Sequence, residues 1–344
     1  MIDYARFVRI QVGVALKQWV ALLLGCIYFP SAFAGLLPSP SKGVYADLLV
    51  WQLREGSADD WAQLITPAGT QQSAQLVDVP FTWNPGLRLG GFYQSEDEHW
   101  RANAYITTYH TTGSNTASGQ VYSALLGNFY AGNTNGLKFG PYYDFASMRW
   151  EYAFDNVDME LGRLFKISEQ LTFTPYVGLK AAFIDQSMLT HWVNPHSPNT
   201  PPNTYTFTSS NENLKNNYWG LGPAVGVNAL FNFMNASNHH LGVFADVSGA
   251  VMFGHWTFSD VFVTNDHQTV NVNTDPITGG STMWRGQVGF AWQHTTSAAT
   301  YSAKLAYEAQ TWFNQLQYYS YSMGHLNDLM SLHGGDFELG VAFL

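Results

Sequence analysis

The chain has 344 residues, of which only 12% are charged and 16% are aromatic, with a formal net charge of −10 and a single cysteine. A soluble domain usually carries about twice that charged fraction, and an acidic balance with scarce lysine excludes nucleic acid as a partner. One cysteine excludes a disulfide scaffold within the chain and argues against a thiolate metal site.

Residues 1–34 read as a cleavable export signal. Arg6, Arg9 and Lys17 lie in or near its basic region, residues 19–29 form an apolar core, and Ala32-Phe33-Ala34 is a small-residue cleavage site before Gly35. The apolar run is too short to span a bilayer as a helix. Cys26 raises a lipoprotein signal, which Leu24 fits less well than Ala32-Phe33-Ala34 fits cleavage. Removal takes three of the 15 basic and one of the 25 acidic residues, leaving 12 against 24, a net charge of −12 and no cysteine. Residues 35–344 then form one domain.

In chain order, residues 44–53, 86–94 and 99–109 read as strands, followed by a polar stretch over 111–142. Residues 145–165 change phase: Met148, Trp150, Tyr152 and Phe154 share one parity, and Val157, Met159, Leu161 and Phe165 the other. Asp155-Asn156 is therefore expected to be either a bulge or a two-residue hairpin turn. From residue 171 the alternation is regular, as side chains on a strand point to opposite faces in turn. In 171–183, Phe173, Val177, Leu179 and Phe183 oppose Thr172, Tyr176 and Lys180. Segments 219–233, 241–253, 284–292 and 301–313 repeat it, and at the C-terminus Phe337, Leu339, Val341 and Phe343 oppose Asp336 and Glu338.

No segment after the signal reads as a transmembrane helix, and a bilayer core admits only helices and closed barrels. The expected fold is thus an all-β, transmembrane, antiparallel up-and-down barrel. The bulge gives about ten strands and the hairpin twelve; Asp-Asn lacks the glycine that favours a tight hairpin, so ten is preferred. Connections alternate short (166–169, 235–238, 295–299) and long (187–217, 255–283, 314–331), the order of periplasmic turns and outer loops in such barrels. That order places both termini in the periplasm.

The segments carry a resemblance. Trp83-Asn84-Pro85-Gly86-Leu87-Arg88-Leu89-Gly90, Val157-Asp158-Met159-Glu160-Leu161-Gly162-Arg163-Leu164-Phe165, Pro175-Tyr176-Val177-Gly178-Leu179, Ile184-Asp185-Gln186, Trp219-Gly220-Leu221-Gly222-Pro223 and residues 307–315 occur in the order seen in the Legionella-type pore-forming outer membrane proteins. The chain resembles that family over nearly all of its mature length. The resemblance implies a pore-forming outer-membrane barrel and carries no catalytic residues. Such barrels usually end on an aromatic residue, whereas here Phe343 is penultimate and Leu344 last.

Alternation assigns Arg88, Arg101, Arg149, Glu151, Asp158, Glu160, Lys180, Asp246, Arg285, Lys304, Glu308, Asp336 and Glu338 to the inner face as candidate lumen-lining charges. About eight strands are filled by side chains while sixteen leave a channel, so in a barrel of ten these charges are expected to pair and fill the lumen. Arg163 falls on the outward parity as an interfacial residue. Glu55, Asp59, Asp60, Asp78, Glu212, Asp260, Asp266, Asp275 and Asp328 against Lys138 and Lys215 give an acidic mouth, with Asp260, Asp266 and Asp275 as its candidate selectivity acids. His191, His196, His239 and His240 fall in loops and turns without zinc-ligand spacing. No cofactor or metal is expected.

The functional expectation is a porin-like barrel passing small hydrophilic solutes or ions by diffusion. The alternative is a plugged structural or adhesin-like barrel, with Tyr318, Tyr319 and Tyr321 as outer-loop contacts. An enzyme is the third class, and no catalytic constellation supports it. Expected partners are outer-membrane lipid and lipopolysaccharide; a homo-oligomer and a host or surface partner are left open.

Overall fold

The computed structural model describes residues 41–56, 60–68, 71–95, 99–131, 140–198, 205–236, 238–320 and 324–343. The expected signal, Asp59 and Lys138 lie outside them, as do the side chains of Tyr318, Tyr319 and Tyr321.

Ten strands close a barrel: β1 (Ser41–Glu55), β4 (Asn84–Gln94), β5 (Trp100–Ser123), β6 (Tyr142–Arg163), β8 (Leu171–His196), β9 (Ser209–Ala236), β10 (His239–Thr264), β12 (Ile277–Thr295), β13 (Ala299–Ser320) and β14 (Gly324–Phe343). Each pairs antiparallel with the next in this order, and β14 returns to β1. Four short strands lie outside the ring. The hairpin β2 (Ala62–Ala68) and β3 (Gln71–Val77) hangs from the upper end of β5, β7 (Phe165–Lys166) pairs β8, and β11 (Thr269–Asn273) pairs β10. One helical turn, α1 (Leu126–Ala131), joins β5 to β6. No helix among the described residues is long and apolar enough to cross a membrane.

The strands exceed what a bilayer requires. A tilted spanning strand needs about 9–11 residues, and β8, β9 and β10 have 26, 28 and 26. Their lower halves carry an apolar belt, including residues 171–183 of β8, 219–233 of β9 and 241–253 of β10. Val177, Leu179, Val225, Val247 and Val251 are exposed on it. Exposed aromatics rim both edges: Phe173, Phe233, Trp292, Tyr301 and Phe343 by the short turns, Phe183, Trp219 and Phe253 above. Arg163 stands at the lower rim with its guanidinium 5.6 Å from the Trp100 ring and 5.4 Å from Phe165.

Above the belt the two faces exchange character while the parity stays fixed. On β8, Ile184, Met188 and Trp192 point inward at 0–1% exposure, and Asp185, Ser187 and His191 point outward. β6 behaves the same way. Met148, Trp150, Tyr152, Phe154, Asn156 and Asp158 are all buried on one face. Asp155-Asn156 is therefore neither bulge nor hairpin, and the apparent phase change marks the level at which the environment outside changes from water to lipid. A water-exposed wall must hide its apolar side chains inside, whereas a lipid-facing wall turns them out.

For the same reason the long polar connections expected from the sequence are largely strand. β8 runs on to His196 and β9 begins at Ser209, so His191 and His196 lie on β8; His239 and His240 open β10. Register breaks occur elsewhere. Gly119, with φ +120°, sits at the shift between Ser118 and Val121 of β5, and Asn314, with φ 54°, at the shift between Trp312 and Leu316 of β13. Both residue types tolerate the left-handed region that such bulges use.

Candidate functional site

The barrel interior gathers most of the candidate charges, at the level of the apolar belt. Adjacent inward positions on paired strands place them face to face: Asp47 is level with Arg88, Asp158 with Lys180 and Lys304 with Glu338. Arg88 reaches Asp47 at 3.2 Å and crosses to both oxygens of Glu308 at 3.0 Å. Lys180 contacts Asp158 at 2.5 Å, Arg285 contacts Asp246 at 2.8 Å, and Lys304 contacts Glu338 at 2.9 Å. Tyrosines complete the layer. Arg285 donates to the Tyr105 hydroxyl at 2.7 Å, Tyr105 donates to Glu160 at 3.0 Å, and Tyr176 donates to Asp246 at 3.0 Å. Gln287 donates to Asp336.

Most of these side chains pair between neighbouring strands, and Arg88–Glu308 and Arg285–Tyr105 join strands that are not neighbours. Glu308 is 0% exposed, Asp47 and Asp158 2%, Lys180 3% and Arg88 5%. Taking charges out of water is costly, and only close partners with further hydrogen bonds offset it. Arg101, near the short-turn end, is on the inward parity and only half-buried, 4.1 Å over the Phe92 ring.

An aromatic layer lies directly above. The Arg88 guanidinium is 5.7 Å from the Trp51 ring, and Lys180 Nζ is 6.0 Å from Trp312. A hydrogen-bonded chain joins the layers: Trp312 Nε1 donates to Gln310, which donates to Glu308 at 2.6 Å. Trp51 packs on Tyr109, Phe154 on Trp312, Trp256 on Tyr218 and Trp192 on both Trp61 and Tyr143, with centroids 4.8–5.8 Å apart. Where β4 stops short, the segment before it fills the seam: Val79 and Phe81 are buried, and Phe81 meets Trp150 at 5.4 Å.

Above the aromatics sits a buried acidic pair, Glu212 and Asp260, at 1% and 0% exposure. Asp260 accepts the backbone N–H of Gly127 at 2.7 Å, and Glu212 accepts that of Asn128 at 2.7 Å and Trp192 Nε1 at 3.0 Å. Both carboxylates thus face the first turn of α1. Burial and the neighbouring Asp260 hold Glu212 well above the usual carboxylate range. Burial, opposed by the backbone and side-chain hydrogen bonds, leaves Asp260 raised to about 6.

Several sequence expectations are corrected here. Arg149 and Glu151 are on the outer surface, paired with each other at 2.9 Å with side chains 61% and 46% exposed, because the wall at that height is water-facing outside. Asp260, Glu212 and Glu55 are buried and do not belong to an acidic mouth. Asp266 and Asp275 are exposed at the upper end. Hydroxyls of Thr206 and Thr264 hold the Asp266 carboxyl below its ordinary range. Sequence reasoning missed Asp47, although Val44, Leu48 and Val50 mark its face as inward, and it missed the aromatic layer. No group of three or more metal-ligating side chains occurs among the described residues.

A family model described as the Legionella pneumophila major outer membrane protein precursor matches residues 42–343. No curated protein sequence matches the chain. Among solved structures, the outer membrane protease OmpT of Escherichia coli is 10% identical, with 90% of this chain and 99% of that one covered and a TM-score of 0.40. The toluene transporter TodX of Pseudomonas putida is 10% identical, with 91% of each chain covered and a TM-score of 0.31. A major outer membrane protein of Thermus thermophilus is 12% identical, with 89% of this chain and 99% of that one covered and a TM-score of 0.31. Likenesses this loose carry nothing about activity.

Proposed function

Since the chain belongs to the Legionella major outer membrane protein family, and so resides in the outer membrane, we propose that it serves as a barrel closed at rest that presents a tall, water-exposed wall at the cell surface. One observation carries this reading: Trp51, Trp150, Trp192, Trp256 and Trp312 lie across the interior at 0–2% exposure, above ion pairs that are themselves buried. Close-packed aromatics leave no path for a hydrated solute. The reading is non-enzymatic. No histidine is buried among the described residues, the His196–Asp144 pair lies at exposed strand ends, and the inner acids are engaged by arginine, lysine, tyrosine and backbone.

A second reading, passive diffusion of small hydrophilic solutes or ions, is favoured by a separate observation. Asp47 Oδ1, Asn156 Oδ1, Gln186 Oε1 and Asn216 Oδ1 are buried without a protein hydrogen-bond partner, and such atoms are ordinarily satisfied by water. Single-channel recording of the refolded chain in a planar bilayer separates the two. Silence where a control porin conducts is the expected result, and discrete steps at the same protein concentration would replace the closed barrel with the pore.

A further inference from the structure

The wall above the belt is uneven in height. β8, β9 and β10 run 26, 28 and 26 residues, while β1 and β4 run only 15 and 11. On the tall side the outer face of β5, β6, β8, β9 and β10 is hollowed over about 950 Å³. Its lining includes Ser147, Asn211, Asn213 and Ser259, with Arg149 and Lys215 as cations. Ser187 Oγ donates to Asn213 Oδ1 at 3.1 Å, and His191 Nδ1 lies 2.9 Å from Asn211 Oδ1. Both amide oxygens are engaged, which leaves the two N–H₂ groups free to donate. Arg149 is tied to Glu151 only as an exposed pair, an interaction weak enough for another anion to displace.

Hydroxyl, amide and cationic groups line the hollow between the aliphatic side chains of Leu189, Val261 and Val263, without the aromatic anchors that mark a protein-binding hot spot. It suits a polyhydroxy ligand that also carries phosphate. Position then selects the ligand. Ser187 is four residues and His191 eight residues beyond Phe183 at the top of the belt. At about 3.3 Å per residue and a tilt near 40°, the hollow stands roughly 10–20 Å above the hydrocarbon edge. A lipid whose acyl chains lie along Val177, Leu179 and Phe183 brings its headgroup to that height.

We infer that the hollow binds the phosphorylated sugar headgroup of the outer-leaflet glycolipid, lipopolysaccharide. Asn211, Asn213, Ser147 and Ser259 take the sugar hydroxyls, and Arg149 and Lys215 take phosphate. The inference rests on residence in the outer membrane and is independent of whether the lumen conducts.

The test measures retention of three probes by the full chain in micelles: lipopolysaccharide bearing its core sugars, lipid A lacking them, and inorganic phosphate. The wild-type chain should prefer the core-bearing form by about tenfold, the worth of one or two net hydrogen bonds. A combined Asn211→Ala, Asn213→Ala and Lys215→Ala variant should lose that preference while its barrel still migrates differently before and after boiling. Equal retention of core-bearing and core-free lipid overturns the inference, as does displacement of both by inorganic phosphate or an unchanged preference in the variant. A dimer seen without lipid and abolished in the variant overturns it too, because the hollow is then an interface between copies. Should the triple variant fail to fold, a fluorophore on Ser259→Cys, in a Cys26→Ala background, should respond to core-bearing lipid while one on Thr311→Cys, two strands further round the wall and outside the hollow, does not. Equal responses, or none, overturn the inference.

Discussion

Arg88 is the residue on which the belt-level interior turns, since one guanidinium contacts both Asp47 and Glu308. Replacing it with methionine keeps the volume and strands two buried carboxylates. Removing one partner of such a pair costs about 3–5 kcal/mol, so Arg88→Met should lower the urea midpoint of the refolded barrel markedly. Arg149→Ala, which breaks only the exposed pair, should shift it by no more than ~0.5 kcal/mol. Glu212 and Asp260 make a different prediction. Their folded-state values lie above the usual carboxylate range, so the folded protein holds protons that the unfolded chain gives up near pH 4. Their contribution is full below that pH and is lost as pH rises through the raised folded-state values, about 6 for Asp260. Protection of the Gly127 and Asn128 amides, corrected for intrinsic exchange, should therefore fall as pH rises through about 6, and Glu212→Gln should flatten the fall. Protection that rises with pH would mean the pair is fully ionised when folded.

Within each strand the decisive feature is the level at which inside and outside exchange roles. Cysteine scanning along β8, in a Cys26→Ala background, reads it directly. Ser187→Cys and His191→Cys should react on intact cells with a membrane-impermeant maleimide, Met188→Cys and Trp192→Cys should not, and Val177→Cys should react only with a lipid-soluble reagent. Reaction of the two buried positions at the rate of Ser187→Cys would show that the upper interior is open. The same level explains what the sequence could tell. Periodicity is a property of the backbone, so the strands over 171–183, 219–233, 241–253 and 301–313, and the inward setting of Lys180, Asp246, Glu308 and Glu338, were legible from alternation. Periodicity does not say which face meets lipid. The rule that apolar faces outward, valid below Asp155, put Arg149 and Glu151 in the lumen, where Trp150 and Tyr152 in fact reside. On β6 the change of parity at Asp155-Asn156 marks that boundary, but alternation alone reads it as a bulge or a turn, because the same residue types serve both storeys and only the medium outside changes. The seam filled by Val79 and Phe81, and the docking of α1 on Glu212 and Asp260, depend on contacts between distant segments that no spacing encodes.

At the scale of the whole molecule, the aromatic layer acts as a bung that mutation can remove. Trp51→Ala with Trp312→Ala should each cost about 3–5 kcal/mol and should turn a silent barrel into one that conducts in planar bilayers. A double variant that folds and stays silent would place the barrier in the ion-pair layer below. The exchange of faces also bears on assembly. The upper wall, with Arg149, Lys215, Asp185 and His191 on its outside, is chemically a water-soluble protein standing on a membrane protein. Such side chains pass through hydrocarbon only at a cost of about 2–4 kcal/mol per arginine or lysine at mid-depth, and the wall cannot cross as a finished body. The expected order of biogenesis is therefore that strand ends are threaded outward first, the ring closes at the belt, and the tryptophan core condenses last, on the far side. In timed refolding into vesicles, a probe on Val177→Cys should report lipid before Trp192 reports burial, giving the protein a late, surface-exposed folding step that belongs to its outer half alone.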